Sequence, residues 1–142
     1  MAFVTVNYLS ILVAAVAAWL FGAVYYGALG KHWVAAQGKT MEQFQQERDA
    51  CGSLASAAPM ALAFVAELII GWVLYGLLLH LNAFSVRAGL ISAVLCWFGF
   101  VLTTMAVNNA FGGRRIMLTV IDAGGWLGAF LLMGAIVGWW GA

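Results

Sequence analysis

Two carboxylates stand where a chain has reason to avoid them. Glu67 and Asp122 each lie inside a long apolar stretch, whereas the other nine of the eleven charged residues lie outside such stretches. An ionisable side chain near the middle of a bilayer costs about 2.5–3.5 kcal/mol on insertion scales, so it faces protein or water. At about 1.5 Å per helical residue, Glu67 lies roughly 12 Å in from Pro59 and Asp122 roughly 9 Å in from Ile116. Thr104 comes to a similar depth, and Asn108 sits one turn below it on the same face. Tyr25 and Tyr26 lie about one turn inside the end of the first stretch. Carboxylates, hydroxyls and an amide at one depth and on one side are the groups that bind or relay a proton or a cation.

A purely structural role is the alternative for each. Arg115, Thr119 and Asp122 share one helical face, so Arg115 or Arg114 can reach inward and neutralise Asp122 near the positive end of its helix. Thr104 and Asn108 can hydrogen-bond across helices, a contact worth about 0.6 kcal/mol in a membrane. Glu67 has no cationic neighbour in its own helix. His80 lies some 20 Å along the helix from Glu67 and reads as an interfacial side chain. His32, beside Lys31 and Trp33, reads as an interface anchor.

Nothing in the chain assembles an enzyme's nucleophile, base and acid. There are two histidines, two cysteines and no glycine-rich loop leading into a lysine. Ser53 and Ser56 have no histidine near them in sequence. No cofactor, metal site or nucleic-acid partner is expected, and the net charge of +1 implies no special attraction to acidic partners.

The elements that must position these residues follow from composition. The 142 residues are 65% hydrophobic and 8% charged, against roughly 45–50% and about 25% in a soluble domain. Charged residues divide the chain into four apolar stretches, 4–29, 59–81, 88–107 and 116–140. Each reaches the roughly 20 residues that cross a hydrocarbon core as a helix. They are continuously apolar, which favours helices over a barrel. The expectation is an all-α, integral membrane bundle of four transmembrane helices in a single domain, with antiparallel neighbours.

The first stretch lacks a preceding basic residue and is longer than a signal-peptide core, so it reads as a retained span. The connection 30–58 is the one sizeable piece outside the spans. Thr40 and Gln43 have capping-box spacing there, which predicts a short interfacial helix over roughly 40–50. Pro59 falls at the expected first turn of span two. Lys31, Lys39, Arg48, Arg114 and Arg115 lie on the connections after spans one and three, against Arg87 alone on the other side. The excess places those two connections in the cytoplasm and both termini outside. Trp33, Tyr25 and Tyr26 fall at the inner interface and Trp139–Trp140 at the outer. Cys51 and Cys96 are too far apart in the layout to pair.

Small residues recur at four-residue spacing: Ala14, Ala18 and Gly22 in span one, Gly124 and Gly128, then Gly134 and Gly138, in span four. Such stripes let helix backbones approach closely, either within one chain or against a second copy or another membrane protein.

The order of several short motifs resembles a bacterial membrane family catalogued as domain of unknown function 1761. The residues that carry the resemblance are Val6-Asn7-Tyr8-Leu9, Gly22-Ala23-Val24-Tyr25-Tyr26, Gly30-Lys31-His32-Trp33, Asn108, Arg114-Arg115, Ile121-Asp122-Ala123-Gly124 and Met133 through Trp139. Two departures stand out: Tyr25-Tyr26 followed by Gly27-Ala28, where Trp-Tyr and a nearby proline are frequent, and Gly125-Trp126, where an aromatic hydroxyl is frequent. The resemblance implies a four-helix integral protein of the bacterial inner membrane. It implies no activity, so Asn108, Arg114, Arg115 and Asp122 carry over as pattern residues without roles. Two functions are expected from different classes: a small transporter or channel-like protein handling a cation, proton or small polar solute, or an accessory subunit of a larger membrane complex. A homo-oligomer or a membrane-protein partner is expected in either case.

Overall fold

The computed structural model describes residues 6–142; residues 4 and 5 of the expected first span lie outside it. Five α-helices follow one another: α1 (Tyr8–Ala36), α2 (Met41–His80), α3 (Val86–Cys96), α4 (Thr103–Phe111) and α5 (Ile116–Trp140), with a π-helical turn, Trp97–Leu102, joining α3 to α4. Val86–Phe111 is thus one continuous span, and among the described residues four helices are long and apolar enough to cross a membrane. The molecule is an all-α membrane bundle.

Caps begin the helices where the sequence supplies acceptors for their unpaired amides. Asn7 accepts from the Ser10 amide and Ser85 from the Ala88 amide. Thr40 and Gln43 form the reciprocal capping box that starts α2. Gly38 stops α1 in the left-handed region at φ 78°, where a side chain would be strained.

Three boundaries differ from the sequence expectation. α1 continues through 30–36, because Val34 and Ala36 are buried and Ala36 packs with Leu118 and Ile121 of α5. That packing outweighs the roughly 1 kcal/mol that Gly30 costs a helix interior. α2 carries the expected short helix and span two as one element, bent at Gly52, whose φ 81° and ψ 165° are not helical. Pro59 therefore lies within α2, beyond its first turn, and deprives the Ala55 carbonyl of its usual donor.

α5 is the central helix: it packs on α1, α2, α3 and α4. Its glycines allow this. A methyl group on Gly134 or Gly138 would collide with the backbone of Gly89 or Ser85, and one on Gly89 with the Gly134 carbonyl. The α3–α5 crossing is therefore a backbone-to-backbone contact, the close approach that gains dispersion where lipid supplies no hydrophobic drive between helices. Gly134 and Gly138 are spent inside the chain, as are the fully buried Ala14 and Ala18 of α1. Large apolar side chains instead cover the outside, Val24 at 72% and Phe100 at 73% exposure among them. A surface of this kind needs lipid around it.

Candidate functional site

Span four receives three aromatic residues of span one and one of span three along a single turn. The Tyr25 hydroxyl donates to the Ile121 carbonyl at 2.8 Å, and the Trp97 indole donates to the Ala123 carbonyl at 2.8 Å. Between them Asp122 Oδ1 accepts from the Tyr26 hydroxyl at 2.8 Å and from the Trp33 indole at 2.9 Å. Gly124 and Gly125 explain how the rings come so near. A methyl on Gly124 would stand 2.7 Å from the Tyr25 oxygen, and one on Gly125 would stand 3.1 Å from the Tyr25 ring and 3.2 Å from the Tyr26 oxygen. Gly128 likewise seats the Phe21 ring. Gly124 and Gly128 are thus seats for aromatic side chains of α1, and Gly22 faces open space.

Asp122 is not neutralised by arginine. Arg115 Nη1 donates to the Ala35 carbonyl at 2.9 Å, tying the start of α5 to the end of α1. Arg114 is exposed, and among the described residues neither arginine forms an ion pair. The expected reach of Arg115 is taken up by a helix C-terminus, whose free carbonyls attract a cation. Tyr26 and Trp33, both half-buried, satisfy Asp122 instead.

Glu67 stands apart from this arrangement. It is 5% exposed, and among the described residues its Oε2 has no hydrogen-bond partner. It lines a cavity of about 750 Å³ bounded by α1, both arms of α2 and α5. Tyr26 and Trp33 form part of the same wall, whereas Asp122 lies behind them and does not line it. Phe44, Met41, Glu47, Arg48 and Cys51 bring the first arm of α2 to the cavity. Edge-to-face contacts run along this side of the molecule from Phe44 to Trp33 (5.7 Å between centroids), to Tyr26 (5.8 Å) and to Tyr25 (5.3 Å). Arg48 lies 5.9 Å over the Phe44 ring at its outer end.

The other expected members do not join. Thr104 and Asn108 are exposed on α4, which contributes no buried residue. Their neighbours are the ones engaged: Asn109 donates to the Thr119 hydroxyl at 2.9 Å, and Thr103 donates to the Gly99 carbonyl inside the π turn. Depth along a helix places a residue in the bilayer but does not say which neighbour its face meets. His80 Nδ1 lies 2.7 Å from the Gly76 carbonyl of its own helix. Among the described residues no three His, Cys, Asp or Glu side chains come together.

A further polar junction, at the opposite end, went unseen as a contact in the sequence. Asn7 Nδ2 donates to the Trp140 carbonyl at 2.7 Å, and the Asn7 amide donates to the Tyr75 hydroxyl at 3.2 Å. One residue thereby ties α1, α2 and α5. Its N-cap position was the available signal, because a cap at the start of the first span lies near the ends of antiparallel neighbours.

No curated protein and no solved structure matches the chain. Residues 9–138 match the model of a family described as "Protein of unknown function (DUF1761)". With four apolar helices and nearly its whole length inside that match, the chain belongs to the DUF1761 family, a family of membrane-spanning character here and of no assigned activity.

Proposed function

We propose that this protein is a small transporter of the bacterial inner membrane in which Glu67 carries a cation or proton and Asp122 holds the cavity wall. The observation that carries this reading is the lone carboxylate: Glu67 is nearly fully buried, has an oxygen without a partner, and borders a cavity large enough for a ligand. A buried charged or polar group left unpaired costs stability, so its retention is accounted for by a partner that comes and goes. Asp122 has its donors already and supports a different role. Its two hydrogen bonds orient Tyr26 and Trp33, the residues that separate it from the cavity. The first and third connections then face the cytoplasm, following the basic residues they carry.

Flux through proteoliposomes tests the assignment. Glu67→Gln should abolish cation- or proton-driven flux, whereas Asp122→Asn should retain part of it, because an amide oxygen still accepts from Tyr26 and Trp33. Unchanged flux in Glu67→Gln rejects transport through this site.

A second reading, the accessory subunit, rests on α4, a helix end with no buried residue that leaves Val107 and Phe111 exposed. Docking through the glycine stripes has no support, since Gly124, Gly128, Gly134 and Gly138 are occupied within the chain. Purification as a stable homo-oligomer without a companion protein would remove this reading.

A further inference from the structure

We infer that the ligand of the Glu67 cavity is a hydrophobic organic cation, an ammonium- or phosphonium-type charge on an apolar body, rather than a bare metal ion. The inference rests on the reading of Glu67 as a carrying group and names what it carries.

Three features of the wall point the same way. Volume comes first: about 750 Å³ falls within the roughly 300–1,000 Å³ of small-molecule sites and far exceeds a dehydrated ion. Second, three of the aromatic residues have already committed their polar hydrogens. Trp19 donates its indole N–H to the Met60 carbonyl at 3.0 Å, and Tyr26 and Trp33 donate theirs to Asp122. What these three side chains still offer a guest is ring surface, which attracts a desolvated cation through its quadrupole. Third, the spanning part of the wall is poor in oxygen. Ala63, Gly125, Trp126 and Ala129 carry no side-chain oxygen, whereas calcium and magnesium take six or more oxygen ligands. One unpartnered carboxylate among rings and small residues is complementary to a single diffuse positive charge with an apolar body. Arg48 repels the same cation only at the far end, beside the connection; its charge lies over the Phe44 ring.

The glycines of the wall fit this role. Gly22 and Gly30 line the cavity, and a methyl on either would meet nothing within 4 Å. These positions are not close-packed seats like Gly124; they leave room.

Equilibrium dialysis of the full chain in detergent against radiolabelled tetraphenylphosphonium tests the inference, with uncharged triphenylphosphine oxide and Na⁺ as competitors. Saturable binding is expected, untouched by Na⁺ and displaced only weakly by the neutral compound. Glu67→Gln should weaken it by at least about tenfold, as losing one partner of a desolvated charge pair does. Gly22→Leu, which leaves Glu67 in place and fills open space, should also abolish binding; it carries the test if Glu67→Gln does not fold. Equal binding by Glu67→Gln, or equal competition by the neutral compound, overturns the inference and marks the cavity as an apolar groove for lipid chains. Competition by Na⁺ overturns it in favour of an inorganic ion. Glu67-dependent proton or Na⁺ flux without phosphonium binding sinks this inference alone. Phosphonium binding without flux of any cation sinks the transport reading alone.

Discussion

The Tyr26 hydroxyl of the first span rests 2.8 Å from Asp122 Oδ1 of the fourth, and this contact decides what kind of residue Asp122 is. With the Trp33 indole on the same oxygen, the carboxylate is a fixed acceptor that holds two rings of the cavity wall in place. Hydrogen bonds to a charged group contribute about 1.5–3 kcal/mol. Tyr26→Phe should therefore destabilise the bundle by about that amount. Combined with Asp122→Asn in a double-mutant cycle, it should show a coupling above about 0.5 kcal/mol. Reversible unfolding in mixed micelles measures both, and additive losses would dissolve the link.

Glycines of identical composition should behave oppositely. Gly89→Ala pushes a methyl into the Gly134 backbone, where no flexible side chain can yield. A loss of about 1–3 kcal/mol is expected, the usual cost of overpacking. Gly22→Ala, facing open space, should be neutral or gain up to about 1 kcal/mol from helix propensity. The same unfolding assay compares them, and similar effects at the two positions would contradict the close α3–α5 crossing.

Asn7→Ala should loosen one end of the bundle without touching the cavity. It removes the α1 cap and the bond to the Trp140 carbonyl. Caps of this kind contribute about 1 kcal/mol. Hydrogen exchange should quicken at the Ser10 amide and leave the amides around Asp122 protected. Uniform quickening throughout the chain would show that the junction is not local.

Cys51 reports orientation. It is exposed, one residue before the bend at Gly52. A membrane-impermeant maleimide should label it in inverted vesicles and leave it unmodified in intact cells, with the exposed position 54, as Leu54→Cys in a Cys51→Ser background, behaving alike. Labelling from outside would reverse the assigned topology.

Much of the scaffold was legible before any coordinates. Four spans, the Thr40–Gln43 cap and the oddity of Glu67 all rest on local properties: continuous apolarity, a side-chain acceptor three residues before an amide, a charge where lipid is expected. The boundaries that slipped were those set by contact. α1 runs to Ala36 because Ala36 meets Leu118 and Ile121, and the π turn at Trp97–Leu102 accompanies an indole that reaches the Ala123 carbonyl. Neither partner is near in sequence.

The two carboxylates show the division most plainly. Residue type and hydrophobic context alone marked Glu67 and Asp122 as the groups requiring an explanation, since the cost of a charge in hydrocarbon depends on little else. Which of them is satisfied depends on what stands opposite. Asp122 meets a tyrosine and a tryptophan admitted by Gly124 and Gly125, while Glu67 meets a cavity. Depth is a one-dimensional quantity and can be counted along a chain. A hydrogen bond needs the rotation and separation of two helices, and only their packing decides those.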